Sequence, residues 1–169
     1  MDKQTKSGMP VDESKYSFTI PRTDEPREKI LKLGAMITDR IGKVTGNDPE
    51  YWGLAGVVTD EMADVALKMT VRKPKTTAQI AAPTGKSAAA PAKLLTEMAY
   101  IGLVEYNWEN LDGKNPNHEK RWTLPQFVPG SAEFVHMRQS QIDEHPAVAA
   151  FFERLPFLPP EKVPPMVPP

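Results

Sequence analysis

The stretch that decides the fold is residues 76–124, which read TTAQIAAPTGKSAAAPAKLLTEMAYIGLVEYNWENLDGKNPNHEKRWTL. At its start, Thr76 is followed three residues later by Gln79. This is the capping-box spacing, in which the two side chains satisfy backbone N–H groups that a helix start leaves without partners. The spacing therefore predicts a short helix that carries Ile80 and Ala81.

A turn and a longer helix are expected next. Residues 83–85, Pro-Thr-Gly, predict a tight turn because glycine accepts positive φ, and Ser87 can cap the following helix. That helix is predicted over residues 88–101, with Gly102 as its end. Its apolar residues recur at helical spacing and form one stripe: Leu94, Leu95, Met98, Ala99 and Ile101.

Beyond this helix the apolar period changes from helical to alternating. Residues 103–108 and 120–124 predict two antiparallel strands, and residues 110–119, which contain Gly, Pro and several Asn, predict the tip of a hairpin. A helix, a turn, a helix and a hairpin are the pattern of a winged helix-turn-helix. Trp108 and Trp122 are predicted to pair across the hairpin, and the alternative is that they stack on nucleic-acid bases.

The flanking sequence predicts further short helices around this unit. The first is capped by Thr23 or Asp24, carries Ile30, Leu33, Ile37 and Ile41 on one face, and ends at Gly42. Others are predicted from Asp48, from Thr59 to about Met69, over residues 131–137, and over residues 146–154, with an extended connector at 125–130. The expected fold class is mainly α with a small β-hairpin.

The chain divides into five predicted segments. They are a flexible N-terminal arm (1–22), a helical N-terminal extension (23–58), the winged helix-turn-helix (59–125), the C-terminal short helices (126–155) and a Pro-rich strap or linker (156–169).

Composition excludes several classes of protein. The net charge is −1, so any electrostatic partner has to meet a local patch. The absence of cysteine excludes disulfides, thiolate nucleophiles and cysteine-ligated clusters from this polypeptide. No apolar run approaches the roughly 20 residues of a membrane span, and the N-terminus lacks a signal-peptide core, so a cytoplasmic location is expected.

The charged residues are segregated along the sequence. Residues 65–96 contain no acidic residue and carry Lys68, Arg72, Lys73, Lys75, Lys86 and Lys93. All of these except Lys93, together with Lys120 and Arg121, can hold phosphates without reading base sequence.

Motifs for catalysis or cofactor binding are weak. Residues 85–87, Gly-Lys-Ser, resemble the end of a phosphate-binding loop, but Ile80 occupies the position that such a loop gives to glycine. The three histidines lie far apart in sequence, and none has a second ligand at metal spacing. We therefore predict no catalytic, cofactor-binding or metal-binding residue in this chain.

The start of the second helix of residues 76–124 is unsuited to reading bases. Residues 87–93 offer four alanines and a proline, which donate almost nothing to a major groove, whereas small residues allow close approach by a protein. The predicted partner contacts are Ala88, Ala89, Ala92, Lys93, Asn115, His118, Lys120 and Arg121. The alternative, DNA contacts of a MarR-like transcriptional regulator, would use Lys86, Ser87, Lys93, Lys120 and Arg121.

Four stretches resemble a known family. They are residues 51–55 (YWGLA), 59–69 (TDEMADVALKM), 105–110 (EYNWEN) and 127–133 (FVPGSAE). They look like the region that precedes the redox domains in large flavin- and iron–sulfur-dependent oxidoreductases of anaerobes, of the pyridine nucleotide-disulfide type. The resemblance implies that FAD, iron–sulfur clusters and NAD(P)H belong to the rest of the protein or to a partner subunit. It carries over no catalytic residue.

These observations favour a noncatalytic docking or accessory module of an electron-transfer oxidoreductase, whose partner is a redox domain or subunit that carries flavin and clusters. The rival hypothesis is the DNA-binding regulator, and weak nonspecific DNA binding is compatible with the basic residues.

Overall fold

The chain is mainly helical, with one small three-stranded antiparallel sheet in the part that the structure covers. The structure is a computed structural model that describes residues 14, 19–20, 22–38, 43–84 and 89–154. Its helices are α1 (Glu28–Ile37), α2 (Pro49–Ala55), α3 (Asp60–Ala66), α4 (Thr77–Ala81), α5 (Ala89–Tyr100), α6 (Ala132–His136), α7 (Gln139–Glu144) and α8 (Ala147–Arg154). Its strands are β1 (Lys75–Thr76), β2 (Glu105–Asn107) and β3 (Arg121–Thr123).

Helix α4 begins with the predicted capping box. The Thr76 hydroxyl accepts the Gln79 N–H at 3.3 Å, and the Gln79 side-chain oxygen accepts the Thr76 N–H at 2.9 Å. Ile80 and Ala81 are buried behind this cap. The short helix is therefore fixed at its first turn by local sequence and on its inner face by the core.

Helix α5 lies within one residue of its predicted bounds at either end. Leu95 and Met98 are fully buried on its inner face. Gly102 has a φ of +85°, and the N–H of Leu103 returns to the Met98 carbonyl oxygen at 2.9 Å, which ends the helix as a glycine C-cap does. The turn before α5 at residues 85–88, with its expected Ser87 cap, lies outside the described residues.

Gly102→Ala is expected to lower the free energy of unfolding by about 2–3 kcal/mol. Positive φ alone costs an alanine about 1 kcal/mol, and the added Cβ would meet the backbone of α6 at 2.6 Å from the Phe134 carbonyl carbon. Gly113→Ala is the matched control, because Gly113 has a φ of +71° but nothing within 4 Å of the added Cβ. Urea denaturation measures the free energy of unfolding of both variants. Equal decreases in the two variants would contradict the close approach of α6 to Gly102.

The three strands form a sheet in the order β1-β3-β2. β3 pairs with both neighbours, so that Trp122 lies opposite Lys75 on one side and Tyr106 on the other. The predicted pairing of Trp108 with Trp122 is therefore wrong, since this register gives Tyr106 to Trp122. Strand β1 was not predicted either, because two residues between a basic loop and a helix cap carry no alternating pattern.

Helix α1 is shorter than predicted. The Thr23 hydroxyl accepts the Glu25 N–H at 3.0 Å within a bend, and the helix begins only at Glu28. It ends at Ile37, because Thr38 is extended with φ −90° and ψ 144°. Ile41 and Gly42, the predicted end of the helix, lie outside the described residues.

Helices α2 and α3 begin where predicted. Asp48 and Pro49 open α2, and the Thr59 hydroxyl caps α3 by accepting the Met62 N–H at 3.2 Å. α3 ends at Ala66, three residues before the predicted end, and turns carry the chain on to Met69.

The C-terminal helices differ most from expectation. Residues 125–130 were predicted as an extended connector, but Phe127–Ser131 forms a π-helical turn that runs into α6. The Phe127 ring packs on that of Phe151 in α8, with ring centroids 4.5 Å apart, and this packing draws the turn inward. α7 was not predicted, because the pattern of Gln139–Glu144 holds only one apolar residue. α8 follows close to the predicted position.

One hydrophobic core joins the predicted segments. Side chains from α1, α2, α3, α5, the sheet and α8 contribute to it, and Ile20, assigned to the flexible arm, is also buried there. The predicted strap, 156–169, lies outside the described residues. Within the described part of the chain, no helix is long and apolar enough to cross a membrane.

Candidate docking surface on the hairpin

Two aromatic side chains lie exposed and adjacent on β2 and just beyond it. Tyr106 is 44% exposed and Trp108 is 52% exposed, with ring centroids 5.6 Å apart. β2 is an edge strand, because β3 pairs with it on one side only. Side chains two residues apart on a strand share a face, so the two rings form one surface.

Lys120 lies across this aromatic surface. Its Nζ is 4.2 Å from the Tyr106 ring centroid, 5.1 Å from that of Trp122 and 5.8 Å from that of Trp108. An ammonium at these distances is attracted by the ring faces, by roughly 0.5–1 kcal/mol at an exposed position. We call Tyr106, Trp108 and Lys120 the wing cluster; it combines two flat apolar faces with one positive charge.

Trp122 forms the buried base of the wing cluster. It is 2% exposed, and its indole N–H donates to the Thr77 hydroxyl at 2.9 Å. The Tyr106 ring packs against it at a tilt of 59°, with centroids 5.2 Å apart. The rigid first turn of α4 therefore anchors the sheet beneath the exposed rings.

Asn115 shapes the hairpin tip from within. It is 3% exposed, and its side-chain NH₂ lies within hydrogen-bond distance of the carbonyl oxygens of Trp108, Glu109 and Glu119. Its side-chain oxygen accepts the Glu119 N–H at 3.1 Å. The prediction of Asn115 as a partner contact is corrected, because its polar atoms face the tip backbone.

Arg121 is also less accessible than predicted. Its side chain is 17% exposed and lies 3.9 Å from the Asp112 carboxylate. The backbone N–H of Lys114 lowers the pKa of Asp112 below its usual value, burial opposes this, and the charges of Lys114 and Arg121 reinforce it. Arg121 thus faces a carboxylate of its own hairpin. This carboxylate reduces the positive charge that Arg121 presents to a phosphate.

Helix α5 presents few unused polar groups. Lys93 is 3.8 Å from Glu97, one turn further on, and the Thr96 hydroxyl donates to the Ala92 carbonyl oxygen at 2.9 Å. Ala92 is half-buried. The candidate residues Lys86, Ser87 and Ala88 lie outside the described residues. Ala89 is the first residue of α5.

The basic residues before α4 lie near the β1 edge of the sheet, whereas the exposed rings of the wing cluster lie at the β2 edge. Lys75 is in β1, and the Arg72 N–H donates to the Leu124 carbonyl oxygen at 2.8 Å. Lys68 and Lys73 are exposed. None of these four cations forms an ion pair with a carboxylate that the structure describes.

The histidines do not come together. His118 is exposed at the hairpin tip with a φ of +50°. His136 joins two helices, since its ring nitrogens lie 2.6 Å and 2.7 Å from the carbonyl oxygens of Ala132 in α6 and Val148 in α8. Across the described ranges no three His, Asp or Glu residues group as metal ligands.

The surface of the described residues includes two small clefts. One, of about 140 Å³, lies between the end of α5 and α7. There the central carbon of the Arg138 guanidinium lies 3.5 Å from the centroid of the Tyr100 ring. The other, of about 270 Å³, lies between Arg72, Glu105 and the π-helical turn.

No protein-family model, curated protein sequence or solved structure matches this chain.

Proposed function

We propose that the chain is a winged helix-turn-helix module that docks proteins. The order of elements, α3, β1, α4, α5, β2 and β3, with strands arranged β1-β3-β2, supports this assignment. In a winged helix three helices are followed by a hairpin, and a short strand between the first two helices completes the sheet. The hairpin around residues 110–119 is then the wing.

The observation that carries the docking role is the wing cluster. Tyr106 and Trp108 are large apolar side chains left exposed on a rigid sheet, and Lys120 adds a charge beside them. Aromatic residues are enriched at protein interfaces and supply most of the strongest single contributions to binding. A second group of exposed apolar side chains lies at the end of α5, on α6 and just after α6; its members are Tyr100, Phe134 and Met137.

The partner in this proposal is inferred from the resemblance to flavin- and iron–sulfur-dependent oxidoreductases. The partner is a redox domain or subunit that carries FAD and iron–sulfur clusters and reacts with NAD(P)H, and this chain contributes no catalytic group to it. The test is whether the immobilised chain retains, from an anaerobe extract, a protein whose visible spectrum has flavin and cluster absorption. Failure to retain any such protein would refute the partner assignment.

The rival function, a MarR-like DNA-binding regulator, draws support from one observation. Lys68, Arg72 and Lys73 are exposed without ion pairs among the described residues. Against it, two of the three described cations in the predicted DNA-contact set, Lys93 and Arg121, face carboxylates of their own chain, and Lys120 lies over aromatic rings.

A salt titration separates the two functions. A regulator making about three phosphate contacts would lose about 40-fold in DNA affinity between about 50 and 200 mM salt. The docking module is expected to bind random duplex DNA at neither concentration. Fluorescence anisotropy with a labelled duplex measures this, and steep salt-dependent binding would favour the regulator.

A further inference from the structure

The cleft beside β3 is lined by two residues of opposite charge. Arg72 and Glu105 both line it, and both are exposed. Neither forms an ion pair with any residue that the structure describes. A cation and an anion that line one cleft without closing on each other leave both charges for a ligand.

The backbone holds the two charges on either side of the end of β3. The Arg72 N–H is bonded to Leu124 on one side of this strand, and Glu105 pairs with Thr123 on the other. Arg72 has a φ of +59°, a conformation that costs a non-glycine residue about 1 kcal/mol and that the surrounding contacts impose. The sheet thus sets the backbone positions of both residues.

Apart from Gln126, the remaining lining suits an apolar group. Pro125 is buried at the cleft, and Phe134 is 38% exposed beside it. Gly130 lies in the π-helical turn, and its N–H donates to the Glu133 carboxylate at 2.6 Å, which fixes that wall. The volume of about 270 Å³ is slightly below the usual range for drug-sized ligands, so the ligand is small.

We propose that this cleft binds a free amino acid with an apolar side chain. Its carboxylate pairs with the Arg72 guanidinium, its ammonium pairs with Glu105, and its side chain lies against Pro125 and Phe134. A simple anion would be repelled by Glu105, and a simple cation by Arg72, so a zwitterion suits the pair of charges best. The proposal goes beyond the docking function, because the wing cluster contributes no residue to this cleft.

The experiment is isothermal titration calorimetry of the full chain with L-phenylalanine, L-leucine and L-methionine, beside two singly charged analogues, phenethylamine and 3-phenylpropionate. We expect saturable binding of at least one amino acid, with each analogue at least about tenfold weaker than L-phenylalanine if that is the ligand bound. At ten times its Kd the amino acid should raise Tm by about 3–6 °C.

Variants assign the binding to this cleft. Arg72→Gln and Glu105→Gln should each weaken binding at least about tenfold. Lys73→Gln, which removes an exposed neighbouring cation that does not line the cleft, should leave it unchanged. Arg72→Lys keeps the charge without the forked guanidinium and should give an intermediate affinity. No binding of the three amino acids at about 10 mM, equal binding of either analogue, or full binding by both Gln variants would overturn the proposal.

Discussion

Trp122→Ala is expected to lower the free energy of unfolding by about 3–5 kcal/mol, the cost of removing a large buried aromatic side chain. Trp122 lies in the central strand of the sheet, is 2% exposed, and packs against the Tyr106 ring. Its removal leaves a cavity under the hairpin and breaks the hydrogen bond to Thr77 at the start of α4. The variant thus tests whether one side chain ties the hairpin to the helical core.

Chemical denaturation measures this loss of unfolding free energy. Two further variants separate the contribution of the hydrogen bond from that of the buried ring. Trp122→Phe keeps most of the ring volume but loses the indole donor, so we expect a smaller cost of about 1–2 kcal/mol. Trp108→Ala removes the same residue type from an exposed position and should cost less than about 1 kcal/mol. Similar losses for Trp122→Ala and Trp108→Ala would contradict the different burial of the two rings.

The double variant Tyr106→Ala with Trp108→Ala is expected to weaken capture of the proposed redox partner about 30-fold or more. A buried interface aromatic commonly contributes about 2 kcal/mol or more when truncated, which corresponds to that factor. The two rings adjoin on one face, so a partner that covers one also covers the other. Surface plasmon resonance with the captured flavin protein measures the change.

Tyr100→Ala is the matched control for this double variant. Tyr100 is 67% exposed, but it lies at the end of α5 under the Arg138 guanidinium. Its truncation should leave capture unchanged. Loss of capture in Tyr100→Ala, together with full capture by the double variant, would move the docking surface to the end of α5 and α6.

Local signals were sufficient to predict several elements. The capping box at Thr76, the hydroxyl cap at Thr59 and the glycine end of α5 depend on residues within one turn of each other, and the structure contains all three. The π-helical turn after Gln126 depends instead on the packing of Phe127 against Phe151, which is distant in sequence. Such a contact leaves no periodic pattern at the turn.

The candidate surface was only partly predictable. Lys120 was identified as a contact residue from its position in the hairpin, and it lies exposed over the rings. The exposure of Trp108 was not expected, because it depends on the register that places Tyr106 opposite Trp122. Asn115 closes the tip around buried hydrogen bonds, and an asparagine in a polar loop gives no sequence signal for that role.

Hydrogen–deuterium exchange of the chain, alone and bound to the proposed flavin and iron–sulfur partner, tests the docking surface most directly. We expect binding to slow amide exchange in residues 105–109 and 119–122, around the wing cluster, and to leave α1 unchanged. Protection confined to α5 and to the basic residues 68–75, with none in the hairpin, would contradict docking through the wing.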